Sequence, residues 1–229
     1  MALANTDNAS GNYVEIAAAS SINSPTSGTF LFWVYPTSVA NAARNFVGKT
    51  LVDGGYEIFK RGTNGTILRL AMDRGTTAFA CDTVASTLTV DTWQFFAVVF
   101  DLATSGNNKW YRGTLTSGAA DVTGTVTLGS GAQVSDAAVN LRLLANAAGS
   151  GGWPGSLATY QFFPNVLLTL AQCQSLQWRP RMVAGCTLYM QLGFNGPTVQ
   201  ADWSGNLNNG TITGVTEAAH VPIGLPFGR

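Results

Sequence analysis

Side chains able to do chemistry are sparse in this sequence. The glutamates are Glu15, Glu57 and Glu217, the single histidine is His220, and the cysteines are Cys81, Cys173 and Cys186. Acid–base cleavage of a glycosidic bond needs two carboxyl groups facing one substrate. No glutamate has a carboxylate two residues away on its own strand face, and a pairing of Glu57 with Asp73 would have to come from tertiary structure. A Ser–His or Cys–His enzyme would have to be built around His220, which stands in Ala-Ala-His-Val-Pro near the end and reads as a surface residue. The cysteines are odd in number and lack metal-ligand spacing, so they read as buried free thiols. The glycines of 149–152 run into Trp153 and Pro154 instead of a helix, so they make no phosphate cradle. The expectation is a protein that is not an enzyme.

Binding chemistry has more to draw on. A sugar platform needs an exposed aromatic ring, and Trp110, Tyr111 and Trp153 lie near strand ends or loops, as do Trp178 and Trp203. Trp33 and Trp93 sit within apolar strands and read as core. The segment 217–229 has two prolines and three apolar anchors, Ile223, Leu225 and Phe227. It is too apolar for a solvated tail and too proline-rich for a central strand. It reads as an extended arm laid on its own domain or on a partner.

Charged residues make up 10% of the 229 and cancel to a formal net charge of zero. Without a basic run there is nothing to attract polyphosphate, which argues against nucleic acid as a partner. No apolar run is long enough to cross a bilayer, and the first residues lack the basic start and apolar core of a secretion signal. A near-neutral surface repels its own kind weakly and suits packing against neighbours.

The elements that must carry these residues are strands. In Val90 to Asp101, Trp93, Phe95, Ala97 and Val99 share one face of a strand and Gln94, Phe96, Val98 and Phe100 the other. Thr29 to Tyr35 is apolar on both faces as well. A two-layer sandwich has one inner face per sheet. The outer faces of these strands therefore need cover from loops, from a helix or from another subunit. Shorter strands are expected at 13–16, 46–50, 56–60, 66–72, 78–83, 109–115, 140–145 and 157–163, with Asn64-Gly65 as a hairpin turn. The first twelve residues read as an arm. The one helix starts at Thr169, where Gln172 completes a capping box, and ends before Pro180. The fold class is all-β: a two-sheet antiparallel sandwich with one short helix and extended terminal arms.

The order of these pieces resembles the laminin G-like members of the concanavalin A-like lectin/glucanase jelly rolls. The resemblance is carried by Tyr13–Ile16, Phe30–Tyr35, Thr92–Val99, Trp110–Thr114, the Gly-Trp-Pro-Gly-Ser-Leu-Ala-Thr-Tyr run at 152–160 and the helical segment 168–176. Asp202-Trp203-Ser204-Gly205-Asn206 with Gly210-Thr211 is similar to an element that precedes the first strands in that family. Here it stands late, so it either reaches its usual place by another connection or begins a truncated repeat. The resemblance divides the chain into a jelly-roll domain at 1–180 and an extension at 181–229 that adds a strand or turn element and an arm. It also implies calcium as an optional ligand, for which Asp202, Asn206 and Asn208 are the candidates; the same spacing makes an Asx-turn cluster. No other cofactor is expected.

Two functions follow. One is a structural virion protein made in a host cytoplasm, most readily a decoration or cement protein on a phage capsid. Its partners would be its own copies, as a trimer, and the major capsid protein, with Ile223, Leu225 and Phe227 as contact residues. Compact laminin G-like domains occur among phage structural proteins, which is what the resemblance implies. The other is a lectin-like carbohydrate-binding module using Trp110, Tyr111 and Trp153. A glycosidase comes third.

Overall fold

The structure, a computed structural model, describes residues 2–5, 11–39, 44–49, 54–61, 66–193 and 198–222. The turn at Asn64-Gly65 and the anchors Ile223, Leu225 and Phe227 lie outside them. In chain order the strands are β1 (Ala2–Asn5), β2 (Tyr13–Ile16), β3 (Ser27–Pro36), β4 (Arg44–Gly48), β5 (Tyr56–Lys60), β6 (Leu68–Met72), β7 (Phe79–Thr83), β8 (Gln94–Asp101) and β9 (Lys109–Thr114). They continue with β10 (Ala120–Asp121), β11 (Thr123–Thr127), β12 (Leu141–Leu143), β13 (Gly155–Pro164), β14 (Leu188–Gln191), β15 (Val199–Gln200), β16 (Gly210–Thr213) and β17 (Thr216–Ala218). The helix α1 (Leu170–Trp178) lies between β13 and β14.

The strands form two antiparallel sheets, the sandwich expected from the strand pattern and the jelly roll that the resemblance implies. One runs β10-β9-β8-β3-β13-β1-β17, with β14 also on β13; the other runs β11-β7-β6-β5-β4-β12-β2-β16-β15. The main core fills the space between them. Phe30, Phe32, Phe96, Val98 and Trp110 meet Val14, Ile16, Tyr56, Ile58, Leu70 and Met72 there, all fully buried. Phe30 stacks on Phe162 at a centroid distance of 4.3 Å and reaches Tyr56 of the facing sheet at 5.1 Å. Full burial of each such side chain stabilises the fold by about 1.5–3 kcal/mol.

A second apolar layer lies on the outside of the first sheet. Leu31, Trp33, Phe95, Ala97 and Phe163 are covered there by Cys173 and Leu176 of α1, by Tyr189 and by Val221. At these residues the cover is therefore the chain's own helix and C-terminal segment. Gln177 locks α1 down: its Oε1 accepts from Ala119 N at 2.7 Å, and its Nε2 donates to Thr114 O at 2.9 Å and Ser117 O at 2.8 Å. Its own carbonyl accepts from Trp33 Nε1 at 3.2 Å. Gly113 must lack a side chain for this approach, since a Cβ there would stand 2.4 Å from Gln177 Nε2. The capping box at Thr169 and Gln172 is formed as expected.

Residues 2–5 of the segment read as an arm make a strand instead, with all four residues buried between β13 and β17. Ala2, Leu3 and Ala4 are small or apolar enough to fill that slot. The late Asp202–Thr211 element does occupy a place beside an early strand: Gly210 lies opposite Ile16 and Thr211 opposite Glu15.

Candidate functional site

Three turns converge at one end of the sandwich, where β3 starts and β8 stops. Thr26, Ser27, Arg74, Asp101, Leu102, Ala103 and Gln133 line a cleft of about 270 Å³ there. Asp101 closes β8 because the buried Asn108 organises the turn after it. Asn108 Oδ1 accepts from Asp101 N at 2.8 Å, and its Nδ2 donates to Asp101 O at 3.1 Å and Thr104 O at 3.0 Å. The Asp101 carboxylate is fixed in turn by Ala103 N and Asn107 Nδ2, both at 2.8 Å. Burial works against its charge, but these bonds and those from Thr104 outweigh it and hold its pKa below the usual 3.8. It stays ionised at neutral pH.

Arg74 supplies the opposite charge. Its Nη1 donates to Leu102 O at 2.7 Å and Leu128 O at 3.1 Å, and its Nη2 to Gly131 O at 3.1 Å. Its Nε is shut off from solvent with no hydrogen-bond partner among the described residues. Gln133 is fixed by Nε2 donating to Pro25 O at 3.0 Å. The cleft therefore presents an anion, a cation and an amide over the apolar Leu102 and Ala103. Such a set can hold a small polyhydroxylated molecule by accepting from some hydroxyls and donating to others.

The residues singled out as a sugar platform are elsewhere. Trp110 and Trp153 are fully buried, so neither ring can meet a ligand, which corrects the expectation for both. Trp110 points into the main core, with Nε1 donating to Cys81 O at 2.9 Å and its ring edge-on to Phe32 and Phe96. Trp153 packs on Phe46 with ring centroids 3.7 Å apart. Tyr111, the next residue along β9, faces the opposite way and packs half-buried against the layer under α1. The tryptophans that reach solvent are Trp178, 37% exposed, and Trp203, 51% exposed.

Asp202, Asn206 and Asn208 form an Asx cluster that does not fit a cation. The Asp202 carboxylate already accepts four hydrogen bonds, from Tyr189 N, Ser204 N, Ser204 Oγ and Asn208 N at 2.7–3.0 Å. Both Asn side chains donate to Thr187 O, at 3.1 and 2.9 Å. Among the described residues no three His, Cys, Asp or Glu side chains gather in a way that could hold a metal.

The carboxyl groups that could cleave a sugar are dispersed. On the outer face of the nine-stranded sheet Glu15 lies opposite Arg142, Arg142 opposite Gly48 and Gly48 opposite Glu57. Three strand spacings put the backbones of Glu15 and Glu57 about 14 Å apart, with Arg142 on the strand next to Glu15 between them. Glu15 is also tied to Arg142, with Oε2 2.6 Å from Nη2, and that guanidinium lies 4.5 Å from the centre of the Tyr13 ring. Burial raises the Glu57 pKa. Asp73 spends one oxygen on Gly75 N at 2.9 Å, an Asx turn. His220 is half-buried, with Nδ1 2.7 Å from Val221 O. The three cysteines are free and buried, and burial pushes each thiol up to about 12.

Arg74, Asp101 and Gln133 were not apparent as a set in the sequence. The one local signal was the Asp101 boundary followed by the Ser-Gly-Asn-Asn turn at 105–108.

A family model described as the concanavalin A-like lectin/glucanases superfamily matches residues 8–170. No curated protein matches the chain. Among solved structures, the CBM40 of Ruminococcus gnavus IT-sialidase bound to α2,3-sialyllactose is similar at 12% identity and TM-score 0.49, over 73% of this chain and 94% of that one. A native heptameric SAP-like pentraxin from Limulus polyphemus is similar at 10% identity and TM-score 0.41, over 76% and 79%. The full-length tailspike protein 2 of Escherichia coli O157:H7 bacteriophage CAB120 is similar at 14% identity and TM-score 0.43, over 70% of this chain and 26% of that one.

Proposed function

The chain belongs to the concanavalin A-like lectin/glucanase superfamily, and from that premise we propose that it is a non-catalytic glycan-binding module whose ligand occupies the cleft of Arg74, Asp101 and Gln133. One observation carries the reading: Asp101 and Arg74 bring opposite charges to one cleft of about 270 Å³, each locked by backbone partners, over apolar walls. A sugar hydroxyl can donate to the Asp101 carboxylate while a neighbouring hydroxyl accepts from Arg74. The C–H face of the ring then lies on Leu102 and Ala103. The volume is just under the roughly 300 Å³ at which drug-sized pockets begin, which suits a single sugar ring or chain end. The placing of Arg142 between Glu15 and Glu57 supports the non-catalytic part of the reading.

A glycan array followed by calorimetry on the best hit tests it. The expected result is binding that Asp101→Asn and Gln133→Leu each weaken by about tenfold or more, since a site built around polar partners is sensitive to losing one. Binding that ignores both substitutions, or no glycan bound at all, overturns the proposal.

A second reading is a structural virion protein, packed against a phage capsid and neighbouring copies. It draws on the low charge and on Leu167, Trp178 and Met182, which stand 37–43% exposed in and beside α1. Copies of the chain imaged on purified particles would support it.

A further inference from the structure

Helix α1 covers only part of the outer layer on the first sheet. Its last turn lies over Trp33, whose Nε1 donates to Gln177 O at 3.2 Å, and the helix ends at Trp178. One row further along the sheet, Trp93, Tyr35, Ser156, Ala218 and Ala219 line a hollow of about 310 Å³. Strand register builds this row. Tyr35 lies opposite Ser156, Ser156 opposite Ala4 and Ala4 opposite Thr216, while Trp93 precedes Gln94, the partner of Val34. Alternation puts Tyr35, Ser156 and Ala4 on the same face as Trp33, Ala158 and Ala2. Two aromatic residues therefore stand beside a strip of small ones, and the step between them is the hollow.

The fold fixes both rings. Their centroids are 5.5 Å apart and their planes meet at 57°. Pro36 O accepts from Asp91 N at 2.7 Å, which pins the turn before Trp93 to the end of β3, and Asp91 takes φ +54° within that turn. Gly155 lets β13 close up beside Tyr35, since a Cβ there would stand 2.2 Å from Tyr35 O. Three polar groups are left open. Tyr35 OH, Trp93 Nε1 and Ser156 Oγ have no hydrogen-bond partner among the described residues, and none of them is sealed from solvent. Yet Trp93 is only 8% exposed and Ser156 7%. Both residues line the hollow, so a molecule seated there would supply the partners that these deeply set groups lack.

We propose that this hollow binds one ring of a neutral sugar, as a second glycan site apart from the cleft of Arg74, Asp101 and Gln133. Among the described residues no charged side chain lines it, so it offers nothing to hold an ion. The hydroxyls of Tyr35 and Ser156 can each donate or accept and the Trp93 N–H donates, which suits a ring of hydroxyls that themselves do both. The C–H face of such a ring lies against the aromatic wall, which supplies a large contact area. The short side chains of Ser156 and Ala218 leave it room. A wholly apolar occupant would bury the three polar groups without partners, which counts against it. Tyr35 lies near one end of β3 and Ser27 of the cleft starts the other, so the strand holds the two sites about 26 Å apart, at roughly 3.3 Å per residue. The inference rests on the glycan reading for its ligand class alone, since the two sites share no residue.

Saturation-transfer NMR titrations of the full chain with the methyl pyranosides of glucose, galactose, mannose and N-acetylglucosamine test it. In the Asp101→Asn/Gln133→Leu background, which disables the cleft, at least one of the four should still bind. Ala219→Trp, which fills the hollow from its rim, should abolish that binding. Tyr35→Ala should weaken it by about tenfold or more, as for an aromatic anchor. Tyr35→Phe and Ser156→Ala should each weaken it by about fivefold, one hydrogen bond apiece. Ala219 is exposed, so Ala219→Trp should melt like the wild type, and its loss of binding then reports the hollow and not the fold. No pyranoside bound in the cleft-disabled background, or binding there that survives Ala219→Trp, overturns the second site. Sugar binding that vanishes with Asp101→Asn alone overturns it too and leaves the cleft standing, whereas binding that ignores Asp101→Asn and vanishes with Ala219→Trp does the reverse.

Discussion

Lys49 Nζ lies 3.0 Å from Asp136 Oδ2, and neither side chain is exposed to solvent. The pair is embedded in further bonds. Lys49 donates to Asn23 Oδ1 and to Asp136 O at 2.8 Å each, and Asp136 Oδ1 accepts from Ser24 N at 2.6 Å and Ser24 Oγ at 2.8 Å. It joins the end of β4 to the turns at 20–24 and 135–139 that lie over the core. Removing one partner leaves a buried charge alone, so Asp136→Asn or Lys49→Met should cost about 3–5 kcal/mol. The double change Lys49→Met/Asp136→Leu should cost clearly less than the sum. Chemical denaturation of the three variants gives the comparison.

Gln177→Leu should destabilise the chain by about 2–4 kcal/mol, because it strands the buried N–H of Ala119 and takes a donor from the carbonyl of Thr114. Gly113→Ala should act in the same direction by pushing the amide of Gln177 away. Urea melts followed by tryptophan fluorescence report both, since Trp33 donates to the carbonyl of that same residue.

The capping box predicts a smaller loss. Thr169→Ala removes the acceptor for Gln172 N and should cost about 1 kcal/mol, whereas Thr169→Ser should cost little. Parallel thermal melts would separate the two.

Native protein should resist thiol reagents at pH 8. Each cysteine is buried, and burial pushes the thiols to about 12, so little thiolate forms. Mass spectrometry should find no label until denaturant is added, and rapid native labelling would contradict the burial.

Asp101 sets the pH dependence of the cleft. Its folded pKa lies below 3.8, so the carboxylate contributes to stability above 3.8, and that contribution is lost as pH falls through the lowered folded value. Glycan binding that uses the charge should persist below 3.8 and fade only beyond that lower point. In Asp101→Asn this acid transition should disappear. Binding isotherms between pH 5 and about 2.5 would show it.

Strand periodicity revealed most of the architecture. Phe30, Phe32 and Val34 could be assigned to one face of β3 and Leu31 and Trp33 to the other because two-residue alternation survives in any context. The sequence also showed that both faces needed cover. It could not choose the cover, since Cys173, Leu176 and Gln177 find their places only through long-range contacts with Trp33, Thr114 and Ala119. Trp110 shows the same limit: alternation separates it from Tyr111, but which of the two faces inward depends on the second sheet. The cleft was hidden for a related reason. Arg74, Asp101 and Gln133 belong to three turns far apart in the chain, and the folded sheets alone bring them together.

Leu3 lies opposite both Leu157 and Glu217, so the strand nearest the start of the chain is flanked by a middle strand and by one near the end. A ribosome making this protein therefore exposes a half-finished edge until Thr216–Ala218 emerge. Completion of that sheet must wait for β17, and the waiting intermediate offers an open ladder to any sticky neighbour. Such a protein should recover slowly from denaturant and yield best when dilute.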